Sequence, residues 1–196
     1  MQQMSMIYPF DMTISNRHQH KDISFDEYLN LPGLSYSSIR NEGVQREVTT
    51  KMGFGTDVHN YLLTPKEFRG DLNQVRPVAK KLLEVLGDLI TLAVPELAVT
   101  CDMEHEGLVM KHKGRIDLYV PGIAVIDIKI SGQDVKKSIE FFGYDKQLTG
   151  YCLSVGVKKA IIISCHPVKH TIQLEQIKLR EDWWENQVLK RGMPIV

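Results

Sequence analysis

The sequence lacks the features that identify several common classes of protein. Its 196 residues contain three cysteines and no CxxC pair, so a disulfide framework is excluded and a reducing compartment is favoured. No apolar run approaches the length of a membrane span. The opening residues, MQQMSMIYPF, lack the basic and long apolar regions of a signal peptide. We therefore expect a cytoplasmic protein without a membrane partner.

The sequence also lacks an excess of either charge. Its 24 basic residues balance 24 acidic residues, so any anionic partner must be held by a local patch and not by the overall field. Two groups of cysteine and histidine could suggest zinc, namely Cys101 with His105, and Cys165 with His166 and His170. Their spacings match no ordinary zinc module, which argues against a zinc site.

The first half of the chain is predicted to be mainly helical. Residues 1–23 are polar and aperiodic, which indicates a loose arm or an edge segment. Residues 24–92 carry helix signals, including Thr56 as an N-cap after the glycines of GFG, and Pro65 as a stop. Helices are predicted over the stretches SFDEYLN, SYSSIRN, GTDVHNYLL and VAKKLLEVLGDLI.

The second half, residues 93–196, changes to the two-residue period of β-strands. Strands are predicted over ELAVTCDM, EGLVMKHKGRIDLYV, IAVIDIKI, KKAIIISCH and HTIQLEQIKL, and helices over YDKQLTGYCLSVG and EDWWENQVLKRG. Gly156 is predicted to end the first of these two helices. The expected fold class is therefore α/β, with a mixed central sheet flanked by helices, an N-terminal helical region, and a single domain over residues 24–196.

The register of the hairpin GRIDLYVPGIAVIDIKI decides where its charges lie. A two-residue loop at Pro121–Gly122 would pair Ile116 with Asp127 and place an acid among core side chains. A three-residue loop, 121–123, pairs Asp117 with Asp127 and apolar residues with apolar residues, so hydrophobic matching selects it. Strand alternation then assigns one face of the first strand to Ile116, Leu118 and Val120, and the other to Arg115, Asp117 and Tyr119.

Two carboxylates directly opposite each other repel, and a cation between them reverses that effect. Asp117 and Asp127 offer the hard oxygen ligands that Mg²⁺ or Mn²⁺ prefers, with water in the other positions. Lys129 lies on the same face as Asp127. Two acids, a divalent metal and a lysine are typical of phosphodiester hydrolysis. The alternative is a solvent-facing pair of acids balanced by Lys129 or Arg115.

With these residues the chain resembles the PD-(D/E)xK nuclease superfamily, and within it the exodeoxyribonuclease VIII-like branch of phage recombination exonucleases. The matching motifs, in the family's order, are LPGLSYSSI, GTDVHNYLLTP, KGRIDLY, IDIKI and GYDKQLTGY. They span residues 31–151, most of the chain. GTDVH and the combination of GRID with IDIK are the more specific parts. The resemblance implies a restriction-endonuclease-like core.

The resemblance implies a role for each matched residue. The implied metal ligands are His59, Asp117, Asp127 and the Ile128 carbonyl. The implied catalytic residues are Asp117, Asp127, Lys129, Gln147 and Tyr151. Glu96 matches a family acid more loosely. The alternatives are a packed histidine at position 59, and an ordinary amphipathic helix face at Gln147 and Tyr151. Iron–sulfur members of the superfamily need four cysteines, so the three present here predict no cluster.

Alternation places Lys111, Lys113 and Arg115 on the strand face that carries Asp117. Such a row could follow a phosphate backbone by non-specific contacts, and the alternative is an ordinary solvated strand face. Nothing in the sequence resembles a helix-turn-helix or a zinc finger for reading bases. This favours a sequence-independent exonuclease over a restriction enzyme.

The implied function is a Mg²⁺- or Mn²⁺-dependent exonuclease that degrades one strand of duplex DNA from its ends in phage or mobile-element recombination. The implied partners are duplex DNA ends, a single-strand annealing protein, and further copies of the chain in a homo-oligomer. The alternatives are a structure- or sequence-dependent endonuclease of the same fold, a catalytically silent DNA-binding module, and a structural protein. The presence of Asp117, Asp127 and Lys129 together argues against a silent module.

Overall fold

The computed structural model describes residues 11–42 and 50–195. The strands in these ranges are β1 (Met12–His20), β2 (Val94–His105), β3 (Leu108–Val120), β4 (Ala124–Ile130), β5 (Ala160–Cys165), β6 (Ile172–Gln176) and β7 (Met193–Pro194). The helices are α1 (Phe25–Asn30), α2 (Tyr36–Arg40), α3 (Thr50–Leu63), α4 (Leu72–Leu86), α5 (Leu89–Leu92), α6 (Val135–Phe142), α7 (Tyr144–Val155) and α8 (Glu181–Arg191). The strands form one mixed sheet flanked by helices, so the predicted fold class is confirmed.

The sheet has the order β1-β2-β3-β4-β5-β6, and β7 pairs with β3. β4 and β5 run parallel, joined by α6 and α7, and the other paired strands are antiparallel. One hydrophobic core lies between the sheet and helices α3 and α4, and a second lies between the sheet and α7. In the described part of the chain, no helix combines the length and apolar character needed to cross a bilayer.

Of the two readings of residues 1–23, a loose arm or an edge segment, Met12–His20 fits the second, because it forms the edge strand β1 on β2. The side chains of Met12 and Ile14 are buried in a third hydrophobic cluster, with Leu153 of α7 and Trp184 of α8, and this packing holds the strand in place. A register shift in mid-strand, with Asn16 in the left-handed region (φ 47°), interrupts the alternation and makes the segment look aperiodic. Residues 1–10 of the predicted arm lie outside the described residues.

The helix around the GTDVH motif includes the glycines that were predicted to precede it. Thr56 lies inside α3 and is not its N-cap, while the end of the helix at Leu63 agrees with Pro65 as the stop. A Cβ added at Gly55 would lie 3.9 Å from the Cβ of Ile130, so this part of α3 runs close against β4. Helical glycine costs up to about 1 kcal/mol relative to alanine, and that weak local preference explains the wrong boundary.

Helix α4 begins at Leu72, six residues before the predicted start at Val78. Asp71 caps it, because its side chain accepts a hydrogen bond from a first-turn backbone N–H. Pro77 lies inside the helix and removes one backbone hydrogen bond, but Val75, Val78 and Ala79 around it are buried in the core. Tertiary packing therefore outweighs the local penalty of Pro77.

The three-residue hairpin loop is confirmed. Leu118 pairs with Ile126, and the loop 121–123 joins the two strands. Gly122 has φ 69°, a conformation that favours glycine and forms the turn. Gly156, with φ 74°, ends α7 as predicted.

The two cores assign the side chains of β3 differently from simple alternation. Leu118 and Val120 pack against α3 and α4, whereas Ile116 packs in the core beside α7. The prediction that these three residues share one face is therefore wrong for Ile116. The alternation of β3 side chains between the two faces of the sheet is interrupted at Asp117. Helices packed on both faces therefore come close to this point of β3.

Candidate active site

Strands β3 and β4 separate just beyond the pair of Leu118 and Ile126. Asp117, the next residue towards the start of β3, accepts a hydrogen bond at Oδ2 from the backbone N–H of Ile128, at 2.7 Å. A carboxylate thus replaces the backbone carbonyl that a continued ladder would supply. Continued in the same register, the hairpin would place Asp117 opposite Asp127. The two acids therefore lie where the strands diverge.

Strand β2 bends at the same level. Glu96 has φ 47°, a left-handed conformation that costs a non-glycine residue about 1–2 kcal/mol. The β2–β3 register places Glu96 across from Asp117. Arg115 holds the Glu96 side chain, with 2.7 Å between Nε and Oε2. Strained backbone of this kind is concentrated at functional sites, so its position beside Asp117 supports a functional role for the bend.

His59, from α3, faces these two carboxylates. Its Nδ1 lies 3.7 Å from Asp117 Oδ2 and 4.0 Å from Glu96 Oε1. The donor atoms of the three residues all lie within 4.8 Å of one another, and the described part of the chain contains no second such cluster of histidine, cysteine or acid. Burial raises the pKa of Glu96 to about 7, with the Asp117 charge adding to the rise and Arg115 opposing it.

The orientation of the His59 ring fits a cation in this cluster. Its Nε2 lies 2.9 Å from the carbonyl oxygen of Ile128, and a carbonyl only accepts, so Nε2 is the donor. The other ring nitrogen, Nδ1, faces Asp117 and Glu96. A nitrogen lone pair and two carboxylates repel one another unless a proton or a metal cation lies among them. The nitrogen and carboxylate donors are therefore suited to a metal ion.

Asp127 and Lys129 form the second part of the site. Asp127 is only 3 % exposed, and its Oδ2 lies 2.6 Å from Lys129 Nζ. The Lys129 ammonium is thus the partner of this buried oxygen. Burial raises the pKa of Asp127 to about 6, Lys129 lowers it, and Asp117 raises it further. Burial lowers the pKa of Lys129, but Asp127 and Asp117 together raise it overall.

Helix α7 closes the site from the other face of the sheet. Gln147 Nε2 donates to the Tyr151 hydroxyl at 2.9 Å. Burial raises the pKa of Tyr151 well above its ordinary value, and the charges of Asp127 and Asp117 add to the rise, so the phenol keeps its proton. The ring lies against Gly114, where an added Cβ would come within 2.6 Å of a ring carbon. The glycine of GRID therefore permits the close approach of Tyr151.

Tyr144 is a further residue of this site, and no role was predicted for it. Its ring centroid lies 5.0 Å from Lys129 Nζ, a cation–π contact. Tyr144, Gln147 and Tyr151 follow one another at the spacing of a single helix face, and that spacing was a usable signal in GYDKQLTGY. Helix α6, which precedes this motif, was also not predicted.

Of the three basic residues predicted to contact DNA, Lys111, Lys113 and Arg115, the last two are engaged by other groups of the protein. The Lys113 ammonium donates to the carbonyl oxygens of Leu29 at 2.7 Å and Leu31 at 2.8 Å, at the end of α1. Arg115 forms an ion pair with Glu96. Lys111 is exposed. A phosphate contact by Lys113 would require the loss of two hydrogen bonds, so Lys111 is the more suitable member of the row for contacting DNA.

Replacing Lys113 by alanine is expected to lower the free energy of unfolding by about 1 kcal/mol, because two carbonyl groups lose their donor. Urea denaturation measures this effect. Lys111→Ala, two residues earlier and exposed, is the matched control and should change stability by less than about 0.5 kcal/mol. Equal stability of Lys113→Ala and the unaltered chain would contradict the structural role of this lysine.

The structure thus brings most of the predicted site residues to one place. Those that meet where β3 and β4 diverge are His59, Glu96, Asp117, Asp127, Ile128, Lys129, Gln147 and Tyr151. The cysteines considered for zinc, Cys101 and Cys165, are buried, and neither belongs to a metal-binding cluster in the described part of the chain.

Comparison with known proteins gives a likeness of fold. No protein-family model and no curated protein matches the chain. Among solved structures, it is similar to a protein from Eubacterium rectale that is named an exonuclease by inference, with 19% sequence identity and a TM-score of 0.50. That likeness covers 83% of this chain and 71% of the other. At this identity it establishes the fold of the sheet and its flanking helices.

An alkaline exonuclease from Laribacter hongkongensis is also similar to this chain. The sequence identity is 14%, the TM-score is 0.43, and the likeness covers 77% of this chain and 69% of the other. This more distant likeness adds nothing to the argument from geometry.

Proposed function

We propose that the protein is a metal-dependent nuclease that hydrolyses phosphodiester bonds in DNA. The observation that carries the proposal is the meeting of His59, Glu96 and Asp117, within 4.8 Å of one another, beside the buried pair of Asp127 and Lys129. The three carboxylates of Glu96, Asp117 and Asp127 outnumber the two cations that pair with them, Arg115 and Lys129, so a further cation is favoured there. The fold, which is shared with a structure named as an exonuclease, supports the same reading.

The donor set fits a divalent cation. His59, Glu96 and Asp117 would hold it. The family resemblance adds Asp127 and the Ile128 carbonyl, which in this structure accepts from His59. Carboxylate and carbonyl oxygens dominate this set, which favours Mg²⁺ or Mn²⁺. A cation bound there supplies Lewis-acid polarisation of a phosphoryl oxygen and lowers the pKa of its bound water.

The residues around the acids have separate roles in this proposal. Lys129, a cation held by Asp127 and the ring of Tyr144, stabilises the negative charge that develops on the phosphoryl oxygens. Gln147 orients the hydroxyl of Tyr151, which keeps its proton and is able to donate to a phosphate oxygen. Exposed Lys111 extends the positive charge along β3.

Within this activity we propose digestion from the ends of duplex DNA, in phage or mobile-element recombination, with a single-strand annealing protein and a homo-oligomer as partners. The resemblance of the GTDVH, GRID, IDIK and GYDKQLTGY motifs to recombination exonucleases supports this finer reading. Residues 24–196 would form the nuclease domain, and β1 (Met12–His20), which precedes this range, would add its edge strand.

The test is digestion of end-labelled linear duplex and of a covalently closed circle, each with Mg²⁺ and with EDTA. The linear DNA should be degraded from its ends with Mg²⁺, the circle should stay intact, and EDTA should abolish the reaction. Cleavage of the circle would show that the same site acts as an endonuclease and not as an exonuclease. Full activity in EDTA, or no cleavage of either DNA with Mg²⁺ or Mn²⁺, would overturn the proposed function.

A further inference from the structure

A run of aromatic side chains leads away from Lys129 at the junction of α6 and α7. The Tyr144 ring lies 5.0 Å from Lys129 Nζ. The Phe142 ring stacks on Tyr144 with 5.4 Å between centroids and 23° between planes. The Phe141 ring meets Phe142 edge-on at 4.9 Å and is 76 % exposed. The run therefore connects the candidate active site to solvent.

The junction that carries this run is firmly held. Gly143, with φ 67°, ends α6 and starts α7. The Tyr36 hydroxyl donates to the carbonyl of Phe142 at 2.8 Å. Arg40 donates to the carbonyl of Phe141 at 3.4 Å, and its guanidinium lies 5.3 Å from the Phe142 ring centroid. The ring of Phe141 is therefore presented to solvent by a rigid turn, with a cation beside it.

An open cleft of about 690 Å³ adjoins the exposed ring. Its lining residues are Gln133, Asp134, Lys137, Glu140 and Phe141. Two carboxylates against one ammonium make the cleft unfavourable for a phosphate group. A flat, uncharged group with hydrogen-bonding edges suits it better, because it can stack on the ring and bond to an amide such as that of Gln133.

We propose that Phe141 is a stacking platform for an unpaired nucleobase of the strand that enters the active site. The base lies in the cleft against the Phe141 ring, and the backbone phosphate passes on the side of Arg40, where the charge is positive. Phe142 and Tyr144 support the platform and set its direction towards Lys129. Stacking on an aromatic ring tolerates any base, which suits digestion without sequence preference. The identity of the strand rests on the proposed function.

Binding without cleavage tests the platform. The Asp127→Asn chain, with Mg²⁺ present, is titrated with a fluorescein-labelled oligothymidylate and with a blunt duplex, and fluorescence anisotropy is measured. Adding Phe141→Ala should weaken affinity for the unpaired strand about tenfold and leave affinity for the blunt duplex nearly unchanged. Phe141→Trp should retain the affinity. Leu92→Ala, an exposed apolar side chain on α5, is the control and should bind as the parent does.

A second measurement separates stacking from simple apolar contact. An oligonucleotide with one 2-aminopurine should lose fluorescence on binding the parent chain and Phe141→Trp, but not Phe141→Leu. Unchanged affinity of Phe141→Ala, undiminished quenching by Phe141→Leu, or no binding of the unpaired strand by the parent would overturn the platform. These readouts measure binding and do not require cleavage. If the unaltered chain does not cut DNA but the Asp127→Asn chains give the expected binding results, the platform stands and the proposed function is overturned.

Discussion

Asparagine in place of Asp127 is expected to lower the rate of DNA cleavage by at least about 10³-fold while the protein stays folded. The side chain keeps its volume but loses the charge needed to bind a divalent cation. In EDTA the free energy of unfolding should stay within about 1 kcal/mol of the unaltered chain. Relief of repulsion from Asp117 and loss of attraction to Lys129 act in opposite directions there.

The rate is measured in single turnover with Mg²⁺ and saturating linear duplex, and the stability by urea denaturation. Asp88→Asn is the matched control, because Asp88 precedes α5 and makes no side-chain capping bond. It should leave the rate and stability unchanged. A folded Asp127→Asn protein that cleaves at the original rate would remove Asp127 from the proposed active site.

Methionine in place of Lys129 is expected to reduce the single-turnover rate about 10²- to 10³-fold, with little change in DNA affinity. The substitution keeps the length of the side chain but removes the ammonium, which contacts the Tyr144 ring, pairs with Asp127 and stabilises the reacting phosphate. The rate must be measured at saturating DNA, because weak binding otherwise imitates slow chemistry.

The control for this experiment is Lys81→Met on α4. Lys81 pairs with Glu84, 2.8 Å from Nζ to Oε2, and both side chains are about half exposed. Its replacement should leave the rate unchanged. If Lys129→Met weakens DNA affinity but preserves the saturated rate, Lys129 contributes to binding and not to the chemical step.

Much of the fold follows from local patterns in the chain. Apolar alternation, helical spacing and glycine stops were enough to predict the hairpin register, the end of α7 and a mixed sheet with flanking helices. Hydrophobic matching selects one register because a slip by one residue turns every side chain to the other face. The predicted helix starts that were wrong, at Thr56 and Val78, lie beside a helical glycine and a helical proline, where local preference is weak or unfavourable and packing decides.

The candidate site was only partly predictable for the same reason. The sequence by itself determined the hairpin register, which brings Asp117 and Asp127 to the point where β3 and β4 separate, and the position of Lys129 after Asp127 on β4. The direct pairing of Asp117 with Asp127 stays a prediction, because the observed pairs of the hairpin end at Leu118 and Ile126. The sequence spacing also determined that Gln147 and Tyr151 share a helix face. These relations hold within one strand pair or one helix, where period and register fix distance.

Tertiary structure alone decided which distant segments meet there. The bend at Glu96 and the change of face at Asp117 let α3 reach the acids from one side of the sheet and α7 from the other. Tertiary contacts also engage Lys113 with the carbonyls at the end of α1 and Arg115 with Glu96. These two residues are therefore less available to DNA than the sequence pattern predicted. Such contacts depend on how layers pack across the sheet, and no local period in the sequence encodes them.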